Sequence, residues 1–384
     1  MAVETSVDVQ SNPQLDAAQS QRRDQAGTAF SFGGLSETRS QKLSLMGGLA
    51  LRGSDGPGGD DVANGVVDPF LAMQYDRQAR DASLSLAARF QETDLVQSGP
   101  GEFGGTFESG TAKRRSFGAE IDLKLRENAR LGFGILAVVQ KTDFVDGTAV
   151  GQGGQALSGT TRHRLDVRAR LDLDAAHHVS ATLGYRVFRQ EAAPGSRESF
   201  HLDGIYQIDR PLGPFSVRMG YVRAEAGHRV SGAVDRVLAL PNGKLHAGIG
   251  AARGATGGRY VTGHLDYKAA FGRGEFEARL RRKLASSDQD DSEQVNTAIA
   301  LRYRIEGTPV DGIAVQIDWE EAKNPLSGLT TISRIFAISY VRSLSRRAQF
   351  TVGLRRRDLR DSVSGTGRSN EIFMSFTRKF SPRF

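Results

Sequence analysis

From about residue 27 to its end, the chain repeats one pattern. Segments of roughly 9–15 residues place an apolar side chain at every second position, and a polar connection carrying Gly, Asp or Pro follows each. Leu165, Val167, Ala169, Leu171 and Leu173 stand against Asp166, Arg168, Arg170 and Asp172. Leu131, Phe133, Ile135, Ala137 and Val139 form another such set, as do Thr297, Ile299, Leu301, Tyr303 and Ile305, and Ile313, Val315, Ile317 and Trp319. A helix would smear these positions around its axis, whereas a strand collects each set on one face. The opposite face carries Arg, Asp and Lys in mid-segment, where a soluble sandwich more often places Thr or Ser. Both faces run on through many segments, which fits a wall with lipid on one side and water on the other.

The connections support this parse. Short ones (37–40, 126–128, 174–178, 209–214, 241–243, 343–347) alternate with longer ones (53–64, 95–111, 145–159, 190–197, 286–292, 322–330, 360–368). The expected fold is all-β: a transmembrane antiparallel barrel with short periplasmic turns and longer external loops. About 19 segments follow residue 27; Thr5–Gln10 would add one, and merging a marginal segment would remove one, so about 18–20 strands are expected, an even number being the rule. Residues 1–26 read as an N-terminal segment (first strand, loop or plug) and residues 27–384 as the barrel. Pro57, Pro100, Pro194, Pro211, Pro214, Pro241, Pro309 and Pro325 fall in connections, as a residue that cannot donate to a ladder should. Pro69 and Pro382 are the exceptions, Pro69 falling inside the strand expected over 65–76.

Composition excludes several alternatives. No run of 18 apolar residues exists, so no transmembrane helix is expected. There is no Cys, hence no disulfide framework and no thiolate nucleophile or ligand. The net charge is +7, but 44 acidic residues nearly balance 51 basic ones and the charges alternate with apolar residues, which argues against nucleic-acid binding.

The chain ends Phe376-Thr-Arg-Lys-Phe380-Ser-Pro-Arg-Phe384. Counting back in twos from Phe384 gives Pro382, Phe380, Arg378, Phe376, Met374 and Ile372, an apolar face interrupted by Pro382 and Arg378. This segment resembles the C-terminal strand of bacterial outer-membrane β-barrel proteins of the porin-like kind. The resemblance implies a Gram-negative outer-membrane location, contact with outer-membrane lipid, and recognition by the barrel assembly machinery through Phe376, Phe380 and Phe384. Met1-Ala-Val-Glu-Thr-Ser-Val-Asp lacks the basic start and apolar core of a signal peptide, so the chain reads as a mature or truncated form.

Other motifs have plain readings. Gly99-Pro-Gly-Glu-Phe-Gly104 matches GxGxxG, but β-type sequence follows it, so it reads as a loop. No histidine forms a metal-spaced set with carboxylates; no metal or cofactor is expected, and His177-His178 reads as a polar turn. His264 and Asp266 are the nearest approach to a catalytic pair, an arrangement that chance supplies, so no enzyme is expected. Tyr185, Tyr206, Tyr221, Tyr267, Tyr303, Trp319 and Tyr340 mostly share the apolar face near segment ends, as interfacial anchors do.

The arginines opposite the apolar sets carry the functional expectation. Arg168, Arg170, Arg186, Arg218, Arg279, Arg281, Arg302, Arg304 and Arg355 would line the lumen together with Asp166, Asp266 and Asp318. Rings of basic residues favour anionic solutes; the same residues paired with Asp or Glu across strands would only stiffen the wall. The expected function is passive diffusion of small hydrophilic solutes with a mild anion preference. A non-conducting structural, assembly or export-associated barrel is the rival, and a barrel enzyme comes third. Homo-oligomerisation and a periplasmic partner are left open by the sequence.

Overall fold

The computed structural model describes residues 1–12, 15, 22–55, 64–95, 108–151, 156–193, 195–225, 227–286, 292–363 and 365–380. Its strands begin with β1 (Ala2–Ser11), β2 (Arg22–Glu37), β3 (Gln41–Asp55), β4 (Gly65–Gln78) and β5 (Ala82–Asp94). There follow β6 (Ser109–Gly110), β7 (Lys113–Leu125), β8 (Leu131–Val145), β9 (Ala149–Val150), β10 (Thr160–Asp172) and β11 (His177–Gln190). Next come β12 (Ser196–Ile208), β13 (Phe215–Ala224), β14 (Gly227–Leu240), β15 (Gly243–Arg253) and β16 (Arg259–Phe271). The last are β17 (Gly274–Ser286), β18 (Glu293–Glu306), β19 (Asp311–Lys323), β20 (Thr330–Ser345), β21 (Ala348–Asp361) and β22 (Gly365–Lys379).

All but β6 and β9 form one 20-stranded antiparallel sheet in which each strand pairs with its sequence neighbours. The sheet closes because β1 pairs with both β2 and β22, for example Val7 with Ala26 and with Met374. Closure removes the unpaired edges that a sheet could not carry into lipid.

The outer wall is apolar. Leu165, Val167, Leu183, Phe200, Leu202, Ile249, Leu265, Ile317, Phe336, Ile338 and Leu354 are all exposed on it. In a soluble protein so much exposed aliphatic surface would be a liability; here it is the lipid belt. The chain is a transmembrane β-barrel. Tyrosines mark the two rims of the belt. At the end holding the termini, Tyr206 Oη meets His177 Nδ1 at 2.6 Å and Tyr340 Oη donates to Asp311 Oδ1 at 2.5 Å. At the other end, Tyr221 Oη lies 2.9 Å from His228 Nδ1. Each ring stays in the apolar layer while its hydroxyl finds a polar partner.

β1 and the start of β2 belong to the wall, so the segment before residue 27 contributes strands to it. β4 runs straight through Pro69. The ladder steps from Gly48–Phe70 to Ala50–Val67, leaving Asp68 and Pro69 in a bulge where Asp68 takes φ +50 and no donor is needed from the proline. The expected 360–368 loop is much shorter: β21 reaches Asp361 and β22 begins at Gly365, the strands extending past the belt. His177 and His178 open β11 instead of lying in the turn, and His178 holds Asp172 at 2.7 Å. In that turn, backbone N–H groups of Ala176 and His177 hold the Asp174 carboxyl below its ordinary range. The connections around 95–111 and 145–159 are tied to each other: Ser109–Gly110 pairs with Ala149–Val150, over a small cluster of Leu95, Ala112 and Ala149. The GxGxxG segment, Pro382 and Phe384 lie outside the described residues.

Candidate functional site: the inner wall

The alternation that sends Leu165 and Val167 outward sends Asp166, Arg168 and Arg170 inward. The same holds for Arg186, Arg218, Arg279, Arg281, Arg302, Arg304, Arg355, Asp266 and Asp318, each of which alternates with exposed apolar neighbours. Most of these arginines meet a carboxylate. Arg168 lies 3.4 Å from Asp122, Arg170 3.3 Å from Asp172, Arg218 2.8 Å from Asp235, Arg281 3.6 Å from Asp266 and Arg355 3.0 Å from Glu371. Arg279 pairs with Glu277, and Asp318 accepts from Gln316 rather than from an arginine.

Arg302 and Arg304 differ. They sit side by side on the inner face of β18 near the end of the barrel that holds Met1 and Phe380, exposed, with no ion-pair partner among the described residues. Glu277 lies opposite Arg302 in the ladder, but its carboxylate turns to Arg279.

A second charged zone lines the outer part of β1–β5 and β21–β22. Arg357 and Glu371, both buried, meet at 2.8 Å, and Arg355 reaches the same carboxylate. Arg23, 1% exposed, donates to Gln10, whose amide donates in turn to Ser369 at 3.1 Å. Arg52 bridges Asp68 and Asp94. These pairs staple neighbouring strands together, as the wall-stiffening reading expects.

A third zone was not anticipated. Asp166, Gly184 and His201 lie in one row across β10, β11 and β12. Because Gly184 has no side chain, His201 Nε2 leans across it to within 3.3 Å of Asp166, whose carboxylate also holds Arg164. The arrangement recurs as Asp235, Gly248 and His264 across β14, β15 and β16, with Arg218 on Asp235. There His264 Nε2 is 3.4 Å from Asp235 Oδ1, and a second imidazole joins: His246 Nε2 lies 3.0 Å from His264 Nε2. His264 thus reaches Asp235 on a strand two away, while Asp266 pairs with Arg281. Linear spacing hides such a row; only strands aligned at one height reveal it.

No family model matches the chain, and no curated protein does either. Among solved structures it is similar to outer-membrane barrels of Pseudomonas aeruginosa. OccK5 (OpdH) is 12% identical, with 99% of this chain and 98% of that one covered and a TM-score of 0.42. OpdQ is 11% identical, with 98% and 97% covered and a TM-score of 0.42. The siderophore receptor PirA is 12% identical, with 99% and 80% covered and a TM-score of 0.48.

Proposed function

We propose that this chain is an outer-membrane channel for passive diffusion of small hydrophilic solutes, with a mild preference for anions. The observation that carries the reading is Arg302 and Arg304, exposed on the inner face without an ion-pair partner among the described residues, where Arg168, Arg170, Arg218, Arg279, Arg281 and Arg355 each meet a carboxylate. Fixed positive charge on a water-facing wall raises the local concentration of anions. Because most inner charges are paired, the bias is small, and neutral solutes pass too.

Two further observations support an open lumen over a filled one. The folded chain exposes 21692 Å². A compact monomer of this length exposes roughly 15,000 Å², and a hollow wall with an accessible inner face as well as an outer one produces such an excess. Residues 2–11 are also committed to the wall as β1. A barrel of this width leaves an aqueous path unless something fills it. Phe376 and Phe380 lie exposed on the outer face of the closing segment, where the assembly machinery would read them.

Liposome swelling tests the reading. Vesicles containing the refolded protein should swell in isosmotic small sugars and in small organic anions, somewhat faster in the anions. Folded, inserted protein that leaves vesicles as tight as protein-free controls would overturn it.

A further inference from the structure

We propose that Asp235, His246 and His264 form a binding site for a divalent transition-metal ion of the zinc type on the inner wall. The inference stands apart from conduction and needs only that the lumen admits water and ions.

The register builds the site. Asp235 pairs with Gly248 across β14 and β15, and Gly248 pairs with His264 across β15 and β16, so carboxylate and imidazole flank an empty position. A methyl group at Gly248 would overlap Asp235 Oδ1 and come within 2.6 Å of His264 Cε1. Position 248 thus provides the gap in which the donors converge. His246 lies two residues before Gly248 and so shares its face; its Nε2 enters from below the row.

Two of the three donor pairs already stand at ligand spacing. Zinc holds imidazole nitrogen and carboxylate oxygen at about 2.0–2.2 Å in tetrahedral geometry, which puts neighbouring donors about 3.3 Å apart. Here Nε2 of His246 and Nε2 of His264 are 3.0 Å apart, and Nε2 of His264 and Oδ1 of Asp235 are 3.4 Å apart. One atom from each of the three residues fits within 4.8 Å. Two nitrogens and one oxygen suit zinc, copper or nickel better than the all-oxygen shell that calcium or magnesium takes. Three protein ligands leave the fourth position to water or solute from the lumen.

The surroundings orient the set. Asp235 is 3% exposed, and its second oxygen, Oδ2, is held by Arg218 Nε at 2.8 Å, which leaves Oδ1 facing the imidazoles. Without a metal, one imidazole donates its Nε2 proton to the other, which accounts for the short contact. With a metal, the donating imidazole takes its Nδ1–H tautomer, its proton count unchanged, and both Nε2 lone pairs turn to the ion. Arg218 lowers the affinity electrostatically, and Asp266, opposite His246 in the ladder, partly offsets it.

The barrel supplies its own control. The row Asp166–Gly184–His201 repeats the carboxylate, the gap and the imidazole, with Arg164 in the place of Arg218, but no second imidazole joins it. It should not hold zinc tightly.

The test is equilibrium dialysis of the untagged, refolded full chain in detergent against zinc, with bound metal counted by elemental analysis. We expect one zinc per chain. His246→Gln and His264→Gln, each with a wild-type strand spectrum, should weaken binding by at least the ~10–100-fold that loss of even an outer partner costs, and His201→Gln should leave it unchanged. Cobalt(II) provides a readout that does not depend on variants: wild-type protein should develop intense visible bands of a four-coordinate site. No zinc above background, equal binding in His246→Gln, equal loss in His201→Gln, or only the pale spectrum of hydrated cobalt would each overturn the proposal.

Discussion

Met1 and Phe380 exchange backbone hydrogen bonds: the amino terminus donates to the Phe380 carbonyl at 3.1 Å, and Phe380 N–H donates to the Met1 carbonyl at 2.7 Å. The first and last described residues thus form one rung of the seam that turns a sheet into a barrel. Deleting residues 1–11 would strip β1 from both β2 and β22 and leave two open edges in lipid, where each unsatisfied backbone group costs several kcal/mol. We predict that the truncated chain gives no folded barrel, read as loss of the strand spectrum and of the compact, heat-modifiable gel band. A truncated chain that keeps both would contradict the seam.

The lipid belt makes a second prediction. Leu265 faces outward in the middle of β16, and Gln316 faces inward on β19. An arginine at position 265 should cost about 2–4 kcal/mol, the penalty for a cation at the bilayer midplane, and an arginine at position 316 far less. Urea unfolding in lipid vesicles measures both, and equal costs would contradict the assigned faces.

The strand faces were legible because lipid on one side and water on the other impose a strict period of two over the belt. Where that constraint ends, legibility ends. β21 and β22 continue outward past the belt as far as Asp361 and Gly365, where both faces are polar and the sequence reads as loop. The strand over 65–76 was legible but the means of accommodating Pro69 was not, because a bulge is a property of the ladder, shared between β3 and β4, and not of β4 alone. The inward arginines could be read, but not their partners: Glu371, on β22, serves Arg355 and Arg357 of β21 through a register set by the turn between them. The His246–His264–Asp235 set was hidden for the same reason. Its members lie on three strands, and the signal that finds them is Asp, Gly and His at equal height on successive strands.

Glycine rows give a third prediction. Gly248→Ala and Gly184→Ala each drive a methyl group into side chains already in contact, and overpacking of that kind costs about 1–3 kcal/mol. An alanine at Gly204, where an added Cβ meets nothing within 4 Å, should be near neutral. The ranking is checked by the same urea unfolding, and a Gly204 variant as unstable as the other two would contradict it.

Glu371 carries a fourth. It is buried and answers two arginines, so Glu371→Gln leaves the buried Arg357 guanidinium without its anion. Breaking a buried pair from one side costs about 3–5 kcal/mol. A double variant, Glu371→Leu with Arg357→Leu, should recover much of that loss, because the uncompensated charge leaves with its partner. Urea midpoints of the single and double variants decide it; additive losses would show that the two residues are not coupled.

Diffusion through the barrel requires that the inner wall be an open, mildly basic path. Reversal potential under a salt gradient, recorded from single insertions of the refolded protein in a planar bilayer, tests this most directly. We predict discrete conductance steps with a reversal potential displaced toward the anion, and displacement toward the cation once Arg302 and Arg304 are both replaced by glutamate. Folded protein that inserts without steps, or that selects cations in its native form, would contradict the account.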